Sequence, residues 1–109
     1  MKFELRTYRA SEGKMAALQA RFRDHTLGIF PRHGIHSVGY WTVADDPDVL
    51  VYLIWHDGDP RANWTSFKND PEWIAARAES EVDGTLTASI ETVFLDSIDE
   101  LAVGDLPPK

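Results

Sequence analysis

Cysteine is absent from all 109 residues. Disulfides, thiolate nucleophiles and Cys-ligated zinc or iron–sulfur centres are therefore excluded. Basic side chains are scarce beside acidic ones, 11 against 18, which leaves a net charge of −7. An acidic surface repels phosphate, so nucleic acid and anionic membranes are not expected partners. Long apolar runs are also missing: nothing approaches the roughly 20 residues that span a bilayer. The opening "MKFELRTYRA" lacks the apolar core of a secretion signal. The expectation is a soluble cytoplasmic protein. No Gly-rich phosphate loop, GxSxG elbow or HExxH helix is found, and no two histidines lie four apart on one helix. Neither a metal nor a cofactor is expected.

What is present is strong alternation. In "KFELRTYR", Phe3, Leu5 and Thr7 point one way and Glu4, Arg6 and Tyr8 the other, the period of a strand. Met15, Leu18, Phe22, His25 and Ile29 then follow a helical stripe, predicting one amphipathic helix over residues 13–33. Ser11 is its expected N-cap. Pro31 predicts a kink or frayed last turn, and Gly34 a stop. "IHSVGYWTVA" and "VLVYLIWH" read as two strands joined by turn chemistry in "DDPD". Residues 60–82 predict one or two short helices, with Asp70 as an N-cap and Pro71 in the first helical position. "TLTASIETVFL" alternates again as a fourth strand. The order β-α-β-β-α-β is ferredoxin-like: an α+β fold with a four-stranded antiparallel sheet and helices on one face. One domain over residues 1–98 and a loose tail over 99–109 are expected.

Two helices cover only one face of such a sheet, yet the third strand is apolar on both. Val51, Leu53 and Trp55 share one side, Leu50, Tyr52 and Ile54 the other. The second strand sets Ile35, Trp41 and Val43 against Val38 and Tyr40. A bare apolar sheet face is unusual on a monomer. The simplest cover is the same face of a second copy, giving a homodimer of facing sheets.

"ELRTY", "GKM", "VGYW", "DPEW" and "ETVFL", in this order from Phe3 to Leu95, resemble the NIPSNAP family of the dimeric α/β-barrel superfamily. The resemblance implies a ferredoxin-like protomer and a dimeric barrel. It implies no particular reaction. Related barrel families include cofactor-free monooxygenases, polyketide cyclases, isomerising enzymes and haem proteins, with sites often between sheet and helices.

Among the candidate residues, His25 stands on the apolar stripe, so its imidazole is expected to face the sheet as a general acid or base. The bland alternative is a histidine bonded to a strand hydroxyl or carbonyl. Tyr40 and Tyr52 are the other catalytic candidates, as groups that orient a substrate. Phe22, Trp41, Trp55 and His56 are candidate walls of a cleft for a small apolar or aromatic ligand. His33 suits a helix C-terminus, and His36 an exposed strand edge. Trp64 and Trp73 read as core. Glu4, Arg6 and Tyr8, with Glu91 and Ser89 as expected neighbours, read as an ion-pair network at the dimer interface. The resulting expectation is a small homodimeric enzyme without cofactor, moving a proton on an apolar or aromatic carbonyl compound; a non-catalytic ligand-binding or interaction module is the alternative.

Overall fold

Alternation in the first ten residues makes strand β1, Lys2–Ala10, and the rest of the sheet assembles on it. The computed structural model describes residues 1–101. Of the expected tail, residues 99–101 form a 3-10 turn and 102–109 lie outside the described residues. Strands β2, Ile35–Val43, and β3, Asp46–His56, form a hairpin, and β4, Thr87–Asp96, closes the sheet. The strand order is β2-β3-β1-β4, with every pairing antiparallel. This is the expected ferredoxin-like arrangement.

The predicted long helix is continuous but changes its winding. Helix α1, Met15–Arg21, runs into a π-turn, Phe22–Thr26, then α2, Leu27–Ile29, and a 3-10 turn, Phe30–His33, that accommodates Pro31. Gly34 ends it in the left-handed conformation (φ 74°). Ser11 is not the cap. Lys14 occupies that position without a side-chain bond, and the Ser11 carbonyl instead closes a turn by accepting from Lys14 N–H. Helices α3, Pro60–Lys68, and α4, Pro71–Ser80, both start at a proline, capped by Asp59 and Asp70.

All helices lie on one face. There Tyr8, Leu50, Tyr52 and Ile54 pack against Leu18, Phe22, Ile29 and Phe30. Strand β2 reaches this face in two phases. The pairing Ser37↔Ile54 is followed by Gly39↔Leu53, so Val38 is an extra residue, a β-bulge. Ile35 and Tyr40 consequently face the helices together, and Ile35 does not share a face with Trp41 as simple alternation predicts. The opposite face carries Phe3, Leu5, Val51, Leu53, Trp41 and Val93, in register across the four strands. No helix covers it. Among the described residues no helix is long and apolar enough to cross a membrane.

Candidate functional site

The polar face of β1 turns inward. Glu4 has only 1% of its side chain exposed, beneath α3. Its Oε1 accepts from His56 Nε2 and Trp64 Nε1, each at 2.8 Å, and its Oε2 from Arg6 Nη1 at 2.7 Å and from the Thr92 hydroxyl. A carboxylate offers about four lone-pair positions, and these four donors occupy them. Burial pushes the Glu4 carboxyl up, but the hydrogen bonds from His56, Thr92, Trp64 and Arg6 outweigh it and hold the group at about 2. Glu4 is thus an ionised orienting group and a poor base.

His56 is buried with it. Its Nδ1 lies 3.2 Å from the side-chain nitrogen of Asn63, which also donates to the carbonyls of Asp57 (2.8 Å) and Gly34 (3.3 Å). The two carbonyls fix the Asn63 amide nitrogen on this side, and the His56 ring is held between it and Glu4.

Arg6 is the group left with spare capacity. Its Nε and Nη2 donate to the Tyr8 hydroxyl at 3.2 and 3.0 Å, and that hydroxyl is 2.7 Å from the Tyr52 hydroxyl. The guanidinium lies 4.2 Å from the centre of the Trp64 ring, a cation–π arrangement that fixes its plane. Three of its five N–H donors are engaged by Glu4 and Tyr8; two remain, on a side chain still 14% exposed. Arg6 borders a cleft of about 610 Å³ between α3 and the β1–β4 edge, lined by four cations (Lys2, Arg6, Arg61 and Lys68) against two carboxylates (Glu4 and Asp59). The cleft is locally positive in a protein of net charge −7. Arg6, Trp64 and Lys68 also border a deeper chamber of about 260 Å³. Phe94, on the β4 edge and 50% exposed, forms part of the outer wall.

The expected site residues separate. His56 belongs to this site, although as a locked positioning group. Tyr52 is fully buried and joins through Tyr8; burial raises its hydroxyl well above the ordinary value. Tyr40 stacks on Tyr52 with centroids 4.9 Å apart, and burial pushes it up to about 12. Tyr40, Trp41 and Phe22 share a different cleft, about 430 Å³, beside β2, and Phe22 also lines the 260 Å³ chamber. Trp55 lies on the uncovered sheet face, stacked on His36 at 4.1 Å, and His36 bonds Asp57 rather than standing free at the strand edge. His25 lines none of the clefts described here. The π-turn inserts one residue per turn into the helical stripe, so Thr26 takes the inward place and His25 is half-buried outside the clefts.

Sequence reasoning missed Arg6, Thr92 and Trp64. Glu4, Arg6 and Tyr8 do form the expected network, but against the helices and not on the open face. Glu91 and Ser89 pair with Thr7 and Arg9 on the opposite side, and Thr92 is the strand-four partner. Trp64, read as core, carries a site hydrogen bond through its indole. His33 does more than sit near a helix end: it bridges Ser66 and Asp70, each at 2.6 Å. The series resembles a nucleophile relay, but Ser66 lines none of the clefts above and Asp70 is committed to capping α4. Its role is to tie three helical segments together. No group of three or more potential metal-ligating His, Cys, Asp or Glu side chains converges among the described residues.

The family model for NIPSNAP matches residues 3–99. A crystal structure of an uncharacterized NIPSNAP domain protein from Burkholderia xenovorans is 25% identical, with 100% of both chains covered and a TM-score of 0.68. A NIPSNAP family protein with unknown function from Agrobacterium tumefaciens is 26% identical over 87% of this chain and 86% of its own, with a TM-score of 0.70. The fold is shared more distantly with a protein from Nitrosomonas europaea provisionally titled an antibiotic biosynthesis monooxygenase, at 16% identity, 90% and 99% coverage and a TM-score of 0.63. No curated protein matches the chain. With the family model spanning nearly its whole length over a fold of the same kind, the chain belongs to the NIPSNAP family.

Proposed function

We propose that the cleft at Arg6 binds a small flat anion, the enolate, phenolate or carboxylate of an apolar or aromatic carbonyl compound. The observation that carries this is the pair of unengaged N–H donors on a guanidinium whose orientation is fixed on three sides by Glu4, Tyr8 and Trp64. A planar fork held in place suits a carboxylate or enolate oxygen, and partial burial strengthens the attraction. The same donors stabilise negative charge as it develops on a carbonyl oxygen. This supports cofactor-free proton-transfer chemistry of the cyclase, isomerase or monooxygenase type. The fold likeness to a monooxygenase-titled protein supports that class at the level of fold only. Because Glu4 and His56 are both saturated, the proton leaves to solvent water at the open cleft, and the substrate is one acidic enough to ionise there. A non-catalytic binding module is the second reading, and the same saturation of Glu4 and His56 favours it.

The active form is proposed to be a homodimer through the uncovered sheet face, whose apolar area needs a partner layer.

Calorimetric titration with benzoate and benzamide tests the site. Benzoate is expected to bind and benzamide not, and Arg6→Gln to weaken benzoate by about 10- to 100-fold, the value of hydrogen bonds to a charged group. Equal binding of acid and amide would remove the proposal. Deuterium exchange at the acidic C–H of a 1,3-diketone, followed by NMR, separates the two readings: catalysis requires acceleration by wild type that Arg6→Gln loses.

A further inference from the structure

Two cations of the 610 Å³ cleft have no carboxylate of their own among the described residues. Acids outnumber bases 18 to 11 in this chain, and every described arginine but Arg61 lies in an ion pair. Lys2 is paired as well, with Asp96 at 2.6 Å. Arg61 and Lys68, both exposed, are the cations of the cleft left over. Helix geometry relates them to each other. Arg61, Thr65 and Lys68 stand at i, i+4 and i+7 of α3, which makes one ridge of the helix, and all three line the cleft with Arg6. Trp64, whose ring lies 4.2 Å from the Arg6 guanidinium, comes three residues after Arg61 and four before Lys68. The two charges therefore flank Trp64, on which Arg6 rests, at about 4.5 and 6 Å along the helix axis. The acids that face the same space are committed elsewhere. Glu4 has both oxygens occupied, and Asp59 turns its oxygens to the amides of Arg61 and Ala62 at the start of α3.

We propose that the Arg61–Thr65–Lys68 ridge is a second anion subsite, so that the ligand is a dianion. Its first anionic oxygen rests on Arg6, and a separate carboxylate rests on the ridge, where the Thr65 hydroxyl adds a donor between the two charges. A cleft of this volume is within the range of small-molecule sites and has room for more than one anionic oxygen. The substrate class is then a keto acid: an apolar or aromatic carbonyl compound that bears a carboxylate apart from the oxygen that ionises. A simple ketone or phenol would leave the ridge unused. This inference rests on the assignment of Arg6 as the anion anchor.

The test compares terephthalate with 4-carbamoylbenzoate, in which a neutral amide of nearly the same shape replaces the second carboxylate. Wild type is expected to bind terephthalate about three- to tenfold more tightly at low salt, the value of two exposed charge contacts. The preference should shrink as salt rises from about 0.01 to 1 M, because the Debye length then falls from roughly 30 to 3 Å. Arg61→Gln combined with Lys68→Gln should bring the two affinities to within about twofold. Equal binding of both compounds to wild type, or a preference that the double variant keeps, with both compounds weakened by Arg6→Gln, would overturn the second subsite and leave the Arg6 anchor standing. Binding that is absent, or unaffected by Arg6→Gln, would remove both. If the double variant fails to fold, the wild-type salt series decides, and a preference that salt does not diminish counts against the proposal.

Discussion

Glu4 binds charge and fold together at a single residue. Its carboxyl is held at about 2 in the folded chain against an ordinary 4.5. A lowered folded-state value stabilises above the unfolded value and ceases to do so as pH falls through the folded one. The stabilisation is therefore complete above about pH 4.5 and is lost between there and pH 2, and it amounts to about 3 kcal/mol. In urea unfolding, wild type should lose about that much more than Glu4→Gln between pH 6 and pH 2. At pH 7 the variant should be weaker by about 3–5 kcal/mol, because Arg6 is left as a buried cation without its counter-charge. A gap between the two proteins that stays constant with pH would refute the assignment. The sequence showed Glu4, Arg6 and Tyr8 on one face of a strand, and showed that they form a network. It did not show which face. Polar residues alternating with Phe3 and Leu5 ordinarily mark the outward side, and here the outward side is the apolar one. Nor could local pattern link Glu4 to His56, Trp64 and Thr92, which reach it only through the folded chain.

At the scale of elements, the order and kind of every strand and helix were legible, because periods of two and 3.6 survive in the residues themselves. Two irregularities were not, and each displaced a candidate. The π-turn exchanged His25 for Thr26, and the bulge at Val38 brought Ile35 and Tyr40 to one face. A single inserted residue carries no chemical mark of its own; it is visible only as a break in pairing. The bulge nevertheless decides which side chains are inside. Deleting Val38 removes the extra residue and lets Ser37↔Ile54 be followed directly by Gly39↔Leu53, so Ile35 and Tyr40 keep their inward places; the variant should fold and lose less than about 2 kcal/mol. Val38→Ala, a change on a partly exposed side chain, should cost less than about 1 kcal/mol. Urea midpoints of the two variants check this, and a deletion variant that does not fold would show that the bulge itself is required.

The whole molecule has two unlike surfaces: a helical side holding the charged cleft, and a sheet side that carries Leu53, Val93 and Trp41, the last 53% exposed. The proposed dimer predicts that wild type sediments at twice the chain mass at micromolar concentration, and that Leu53→Glu, at the centre of that face, sediments as a monomer or fails to fold. A wild type that sediments as a single chain would end the proposal. The sheet order has a further consequence in time. Strand β1 precedes the other three strands but lies between β3 and β4, and Lys2 pairs with Asp96. An emerging chain therefore carries its central strand with both edges open until β3 arrives and with one edge open until β4 follows, and the Glu4 carboxylate lacks its last donor until Thr92 reaches it. Such long-range closure places folding in the slower range for domains of this size, milliseconds or longer. Synthesis of this chain is thus a period of waiting, in which the strand that will organise the sheet is the one most available to the wrong neighbour.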